Sequence, residues 1–252
     1  MATLAEAIER WMRERIESAR ARGVAVGLSG GIDSAVVATL AARAFGRDRV
    51  TGVIMPAYSQ QTDIDDAHML AEQIGIRPLE IDLSQPFDSM LRTLPDGTEL
   101  AVANIKPRLR MITLYHIANT NGLMVVGTGN RTELMVGYFT KHGDGGVDLL
   151  PLGSLYKHQV RQLARGIGVP ERIIDRPPSA GLWAGQTDEE EMGITYEELD
   201  GILEALDSGI DTSGFDPETV KQVREMVARS SHKRSMPPVF ELSKPVSMLE
   251  MA

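Results

Sequence analysis

The sequence predicts an α/β fold, a doubly wound, mainly parallel sheet with helices on both faces. Three observations predict it. Short apolar runs at 24–27, 50–55, 77–81 and 123–127 alternate with longer helical patterns. The first run stops at a glycine and serine turn, and an Ala-rich helical pattern starts immediately after it. The 252 residues are 42% hydrophobic and 24% charged, which suits a single domain over 1–252 with an ample core. Strands linked through helices wind by right-handed crossovers, and ligands then gather at the carboxyl ends of the strands.

The chain opens on a helix over 3–21. Thr3 and Glu6 have capping-box spacing, and Leu4, Ile8, Trp11, Met12 and Ile16 recur on one face, suited to packing on the sheet or on a partner subunit. The next strand runs into Gly27-Leu28-Ser29-Gly30-Gly31-Ile32-Asp33-Ser34. Strand, tight loop and helix in this order form a phosphate cradle. Gly27, Gly30 and Gly31 are expected to adopt dihedrals closed to other residues and to bring bare N–H groups against an anion, with the helix N-terminus aimed at the same spot. No Lys-Ser/Thr pair ends the loop, so it is not of the Walker type. A helix terminus gives an anion about 0.3–1 kcal/mol, up to about 2 when partly buried, so a triphosphate needs cations from elsewhere. Asp33 would repel that anion unless a divalent metal sits between them. The competing reading is that Asp33 and Ser34 only cap the helix.

A strand at 50–55 leaves through a loop at 56–61 into a helix over 62–75, whose Asp63, Asp65 and Asp66 suit the dipole. A third strand follows at 77–81, then a short helix at 84–94 and a polar turn at Pro95-Asp96-Gly97. Helical pattern resumes over 98–120. Pro107 interrupts it, so the main helix is expected to begin near Lys106. Arg108 and Arg110 lie two apart and cannot share a face, so only one need point at a ligand. The fourth strand, 123–127, exits through Thr128 to a helix start at Glu133, which puts both at the rim of the cradle. A second carboxylate near Asp33 is what a hard cation bridging phosphates would use.

The stretch 137–148 has four glycines and no hydrophobic period, and is expected to be a loop. Tyr138, Phe139, Lys141, Asp144 and Asp148 are more than solvation requires there. A helix over 155–168 carries Lys157 in its first turn, against the dipole, a local cost that reaching a phosphate would explain. The stretch 177–188 has no period and reads as a mobile loop, a candidate lid. Two amphipathic helices, 195–206 and 217–229, cover one end of the sheet. Ser231-His232-Lys233-Arg234 is a cation cluster that spacing alone assigns to a solvated tail.

A formal charge of −9 argues against nonspecific nucleic-acid binding. No apolar run approaches membrane-spanning length and no signal-peptide pattern is visible, so the expected setting is cytoplasmic, without a membrane partner. With no cysteine there is no disulfide, thiolate metal site or cysteine nucleophile. An amide-forming enzyme of this composition would take free ammonia or receive it from another chain.

Ser-Gly-Gly-Ile-Asp-Ser resembles the pyrophosphate loop of the N-type ATP pyrophosphatases. Taken with the run from Asn104 to Met111, Gly127-Thr128 with Glu133, Tyr138 to Asp148, Pro151 to Lys157, Ser179-Ala180 with Gln186-Thr187-Asp188-Glu189, and His232-Lys233-Arg234, the chain resembles the ammonia-dependent NAD+ synthetases along nearly its whole length. The resemblance implies an adenine nucleotide alpha-hydrolase-like, Rossmann-like fold with no glutaminase domain. It implies that deamido-NAD+ attacks the α phosphate of ATP, pyrophosphate leaves, and ammonia displaces AMP from the adenylate. By the same resemblance residues 27–34, Thr128, Lys157 and Ser179 contact ATP, and Asp33 and Glu133 hold Mg2+. Arg108, Lys141, Asp148, His232 and Lys233 hold deamido-NAD+, and Asp144 receives ammonia or takes a proton from it. Asp33, Lys157 and Asp144 are then the catalytic set, in a homodimer. Ser179 keeps the hydroxyl of the threonine frequent in the family, while Pro107 stands where many relatives have alanine. The rivals are another ligase with this loop, such as a GMP synthetase, an argininosuccinate synthetase or a tRNA-modifying enzyme, and a non-catalytic nucleotide-binding relative.

Overall fold

The computed structural model describes residues 3–179, 181, 183 and 187–241. Helix α1 (Leu4–Ser18) opens on the expected capping box, Thr3 Oγ1 accepting from Glu6 N and Glu6 accepting from Thr3 N. Strand β1 (Gly23–Gly27) leads through the glycine turn into α2 (Ile32–Phe45), followed by β2 (Val50–Ile54), α3 (Gln61–Ile74) and β3 (Leu79–Glu80). The chain continues through α4 (Ser84–Thr93), α5 (Glu99–Ala103), α6 (Ile105–Asn121) and β4 (Leu123–Val126). Helices α7 (Arg131–Val136), α8 (Lys157–Ile167), α9 (Glu171–Ile174), α10 (Asp188–Met192), α11 (Tyr196–Ser208) and α12 (Pro217–Arg229) complete it.

The sheet is parallel throughout, in the order β3-β2-β1-β4. Val24 stands between Val50 and Met124, so β2 and β4 flank β1 on opposite sides. The winding reverses there, and sheets of this kind place their ligands beyond the carboxyl ends of the strands at such a point. Val24 and Val26 face α2 and α8, while Ala25, with Val53 and Val125, faces Leu114, Ile117 and Ala118 of α6. This is the period of two expected of a strand covered on both faces. A separate apolar cluster joins Val136 of α7 to Leu199, Ile202 and Leu203 of α11 and Val220 and Val223 of α12. Among the described residues no helix is long and apolar enough to cross a membrane.

Several sequence expectations are corrected. The strand expected at 77–81 shortens to Leu79–Glu80, paired only with Val53 and Ile54. Pro78 has no N–H to give, and Leu79 is 46% exposed, so burial does not extend this edge. The helix expected from 155 begins at Lys157, because Tyr156 is extended, with ψ 161°. The main helix begins at Ile105, as expected near Lys106, with the short α5 before it and Pro107 in its first turn, where its missing N–H costs nothing. Helix α9 was not foreseen. Of the candidate lid, Ala180, Leu182, Ala184, Gly185 and Gln186 lie outside the described residues.

Candidate active site

The cradle is shaped from inside. Leu28 N donates to Val53 O at 2.9 Å, which carries sheet pairing one residue into the turn. Ser34 Oγ donates to Gly31 O and accepts from Ser29 Oγ, and Gly31 N donates to Ser29 Oγ at 3.2 Å. Of the three glycines, only Gly30 has a positive φ, 79°, and a Cβ there would lie 2.3 Å from Asp63 O. Gly31 is extended at φ −89°, and added Cβ atoms at Gly27 and Gly31 find their nearest neighbours at 3.3 and 3.4 Å. The expectation that all three need special dihedrals is therefore corrected. One left-handed residue makes the turn, and α3 packs against it.

Three helix N-termini meet beside this turn. Asp33 stands in the first turn of α2, Glu133 in that of α7, and Lys157 is the first residue of α8. Lys157 Nζ lies 2.6 Å from Asp33 Oδ2 and 3.2 Å from Glu133 Oε1. Asn130, fully buried, ties the two acids together: its Nδ2 donates to Asp33 Oδ1 at 2.9 Å while its Oδ1 accepts from Glu133 N at 3.0 Å. The Lys157 ammonium also lies 5.0 Å from the centre of the Tyr196 ring.

Burial pulls the Lys157 ammonium down, but Asp33 and then Glu133 outweigh it, and the net shift is upward. Burial pushes Glu133 up to about 8, with Lys157 opposing and the Asp33 charge adding to the rise. With both acids ionised, one ammonium faces two carboxylates, an excess of negative charge in a site with little water. Among the described residues no group of three or more His, Cys, Asp or Glu could hold a metal. Mg2+ needs none, since one or two carboxylates plus phosphate oxygens and water are its ordinary set, and the hard oxygens of Asp33 and Glu133 fit it.

The second grouping stands at the other end of α7, about 9 Å away along a helix of six residues. The last carbonyls of that helix have no partners within it. Ser230 Oγ donates to Met135 O at 3.0 Å, Arg234 Nη1 to Met135 O at 2.8 Å, and Lys233 Nζ to Phe139 O at 2.8 Å and to Gly137 O. Cations here also suit the negative end of the helix dipole. Lys141 Nζ donates to His232 O at 2.6 Å, and Arg108 Nη2 donates to Lys141 O at 3.3 Å. Arg108, Lys141, His232 and Lys233 are thus drawn together around the 137–146 loop, and the tail-charge reading of 231–234 gives way. Asp144 belongs to the same loop and accepts from Thr140 N at 2.9 Å. It keeps contact with solvent but is crowded by protein, and this desolvation raises its carboxyl above the usual range. Burial lowers the Lys233 ammonium, with Asp144 opposing.

The remaining candidates have individual settings. Asp148 lies where the chain pairs along the outer edge of β4, its carboxylate accepting from Val125 N at 2.7 Å and Tyr115 Oη at 2.9 Å. Burial, then the bond to Asp148, push the Tyr115 phenol up to about 12. Thr128 follows β4 at the rim, and Ser179 Oγ accepts from Gly181 N at 3.1 Å. Arg110 is committed to the scaffold through Met55 O and Ser59 Oγ, whereas Arg108 is exposed. Asp63 and Asp66 do more than suit a dipole. Arg176 pairs with both and Arg172 with Asp66 at 2.8 Å, fastening the segment before Ser179 to α3. Asn130 was not singled out in the sequence, although Asn130-x-x-Glu133 is capping-box spacing and could have shown it. Tyr196, Thr132 and Asp200 were also missed.

The sequence matches the NAD synthase family over residues 4–237. It is 46% identical over 244 residues to the NH(3)-dependent NAD(+) synthetase of Finegoldia magna, covering 96% of this chain and 98% of the relative. It is 49% identical over 231 residues to the enzyme of the same name from Archaeoglobus fulgidus, covering 91% and 92%. Among solved structures it resembles an NMN synthetase from Francisella tularensis, with TM-score 0.87, 36% identity, and 95% of this chain and 98% of that chain covered.

Proposed function

The chain belongs to the NAD synthase family, and from that premise we propose that it is an ammonia-dependent NAD+ synthetase that makes NAD+ from deamido-NAD+, ATP and ammonia. The observation that carries the reading is the convergence of Asp33, Glu133 and Lys157 beside the glycine turn. In this reading the turn and the N-terminus of α2 hold the ATP phosphates. Lys157 neutralises charge that builds on the phosphates as pyrophosphate departs, a role that suits an ammonium kept charged by its neighbours. Mg2+ on Asp33 and Glu133 would screen these acids from the triphosphate. Thr128 and Ser179 add hydroxyl contacts.

Deamido-NAD+ would lie toward Arg108, Lys141, His232 and Lys233, with Asp148 at the sheet edge. Its pyridine carboxylate attacks the α phosphorus and pyrophosphate leaves with the electron pair of the broken P–O bond. A free carboxylate is inert to ammonia, whereas the resulting mixed anhydride can expel AMP. Ammonia then adds to the carbonyl carbon, AMP departs, and the surplus proton passes to a base. Asp144, exposed to solvent and with its carboxyl raised by the surrounding protein, suits that role. Much of the rate gain comes from holding two polyanions in register. The exposed Met90, Leu94, Leu100 and Ile112 are apolar surface that a homodimer would cover, and the setting proposed is the cytoplasm.

The likeness to the Francisella NMN synthetase favours a second reading, in which nicotinate mononucleotide is the acceptor. One experiment tests both. The protein is incubated with ATP, Mg2+ and ammonium and offered each acid separately, while pyrophosphate and amide are measured. Amide formed faster from deamido-NAD+ supports the synthetase reading. Faster reaction of the mononucleotide selects the second reading, and no pyrophosphate with either acid overturns both.

A further inference from the structure

We propose that Asp200, with Thr132, is the positioning unit that sets Lys157 against Glu133 and Asp33; the inference rests on the synthetase reading. Asp200 is 2% exposed, on α11, and its hydrogen bonds go to α7 and α8. Its Oδ1 accepts from Thr132 Oγ1, and its Oδ2 accepts from His158 N at 2.8 Å and pairs with His158 Nδ1 at 3.0 Å. Thr132 Oγ1 in turn accepts from Lys157 N at 3.0 Å. The first two N–H groups of α8, which no residue of that helix can satisfy, are therefore taken up by side chains from α7 and α11.

The neighbours of these atoms give the arrangement its meaning. Thr132 directly precedes Glu133, and His158 directly follows Lys157. One buried carboxylate thus joins the starts of the two helices that supply the acid and the ammonium. Its negative charge also sits against the N-terminus of α8, offsetting the dipole that disfavours Lys157 there. The same face of α11 repeats the device at its periphery: Glu204 Oε1 lies 3.4 Å from His158 Nε2, and Asp207 accepts from Arg131 and Tyr156. Helix α11 therefore acts as a ruler for α7 and α8. Asp200 does so at the core, where no water can replace it.

Thr132→Val keeps the shape and removes the hydroxyl, and Thr132→Ser keeps the hydroxyl. The expected result is a fall in kcat of about 10²-fold for Thr132→Val, the size of a misplacement on the order of 1 Å, with KM for ammonium unchanged. Thr132→Ser restores the rate. Asp200→Asn, close in volume, is measured in parallel and carries the comparison if the valine variant does not fold. Each variant is then combined with Lys157→Met. Positioning through Lys157 predicts that the losses do not add, whereas a general packing role predicts that they do. Wild-type kcat in Thr132→Val or Asp200→Asn, or additive losses, overturns the inference. A wild-type protein that forms no amide instead overturns the synthetase reading.

Discussion

Lys157 and Asp33 lie 124 residues apart in the chain and meet at 2.6 Å, with the lysine side chain 2% exposed. An ammonium so enclosed is tolerable only with an opposite charge against it, and Asp33 supplies that, with Glu133 beside it at 3.2 Å. The same contact joins the start of α2 to the start of α8.

Asp33→Asn is expected to abolish amidation while the protein stays folded. Lys157 keeps Glu133 as a partner, so the loss of stability should be at most about 3 kcal/mol, the range for a hydrogen bond to a charged group. Amide formation and thermal unfolding of the variant check this. Normal turnover would remove Asp33 from the site.

Glu133 makes a pH prediction for the ligand-free protein. Its carboxyl is raised from 4.5 to about 8 by folding, so between those values the folded state binds the proton that the unfolded state has released. Stability due to this group must then fall as pH rises from about 4.5 to about 8, with no penalty below that window and the full penalty above it. In Glu133→Gln this component disappears. Unfolding free energies of both proteins across pH 4–9 test the sign, and parallel curves would contradict it.

The two glycines of the turn should separate cleanly. Gly30→Ala forces a side chain into a left-handed residue and against Asp63 O, a strain of about 1–3 kcal/mol before the clash is counted. Gly31→Ala meets nothing closer than 3.4 Å. Circular dichroism melts should show a large drop for the first and a small one for the second.

Glutamine should not replace ammonium. The chain has no cysteine with which to release ammonia from it. Amide formation with purified protein and glutamine, free of ammonium, would refute this.

Much of the fold was legible because the signals are local. The β-branched run before Gly27, the Ala-rich helix after Gly31 and the capping box at Thr3 each specify their own structure. The strand at Leu79–Glu80 was overextended because periodicity cannot see that an edge has nothing to bury it. Glu133 could be placed at the rim because it follows the carboxyl end of a predicted parallel strand. Asn130 carried a capping signal that could have been read. Asp200 carried none, because a carboxylate amid an amphipathic helix looks like any solvated residue until its partners, 42 and 68 positions away, are folded against it. Lys233 was legible only by resemblance, since nothing nearby in sequence says that α7 ends beside it.

That last contact bears on the order in which the protein can be assembled. Ser230, Lys233 and Arg234 close the end of a helix made nearly one hundred residues earlier, at separations of 95 to 100 positions. During synthesis on the ribosome the carbonyls of Leu134, Met135 and Gly137 must stay with water until those residues emerge. The end of α7, in the middle of the chain, is therefore closed only when the chain has been made as far as Arg234.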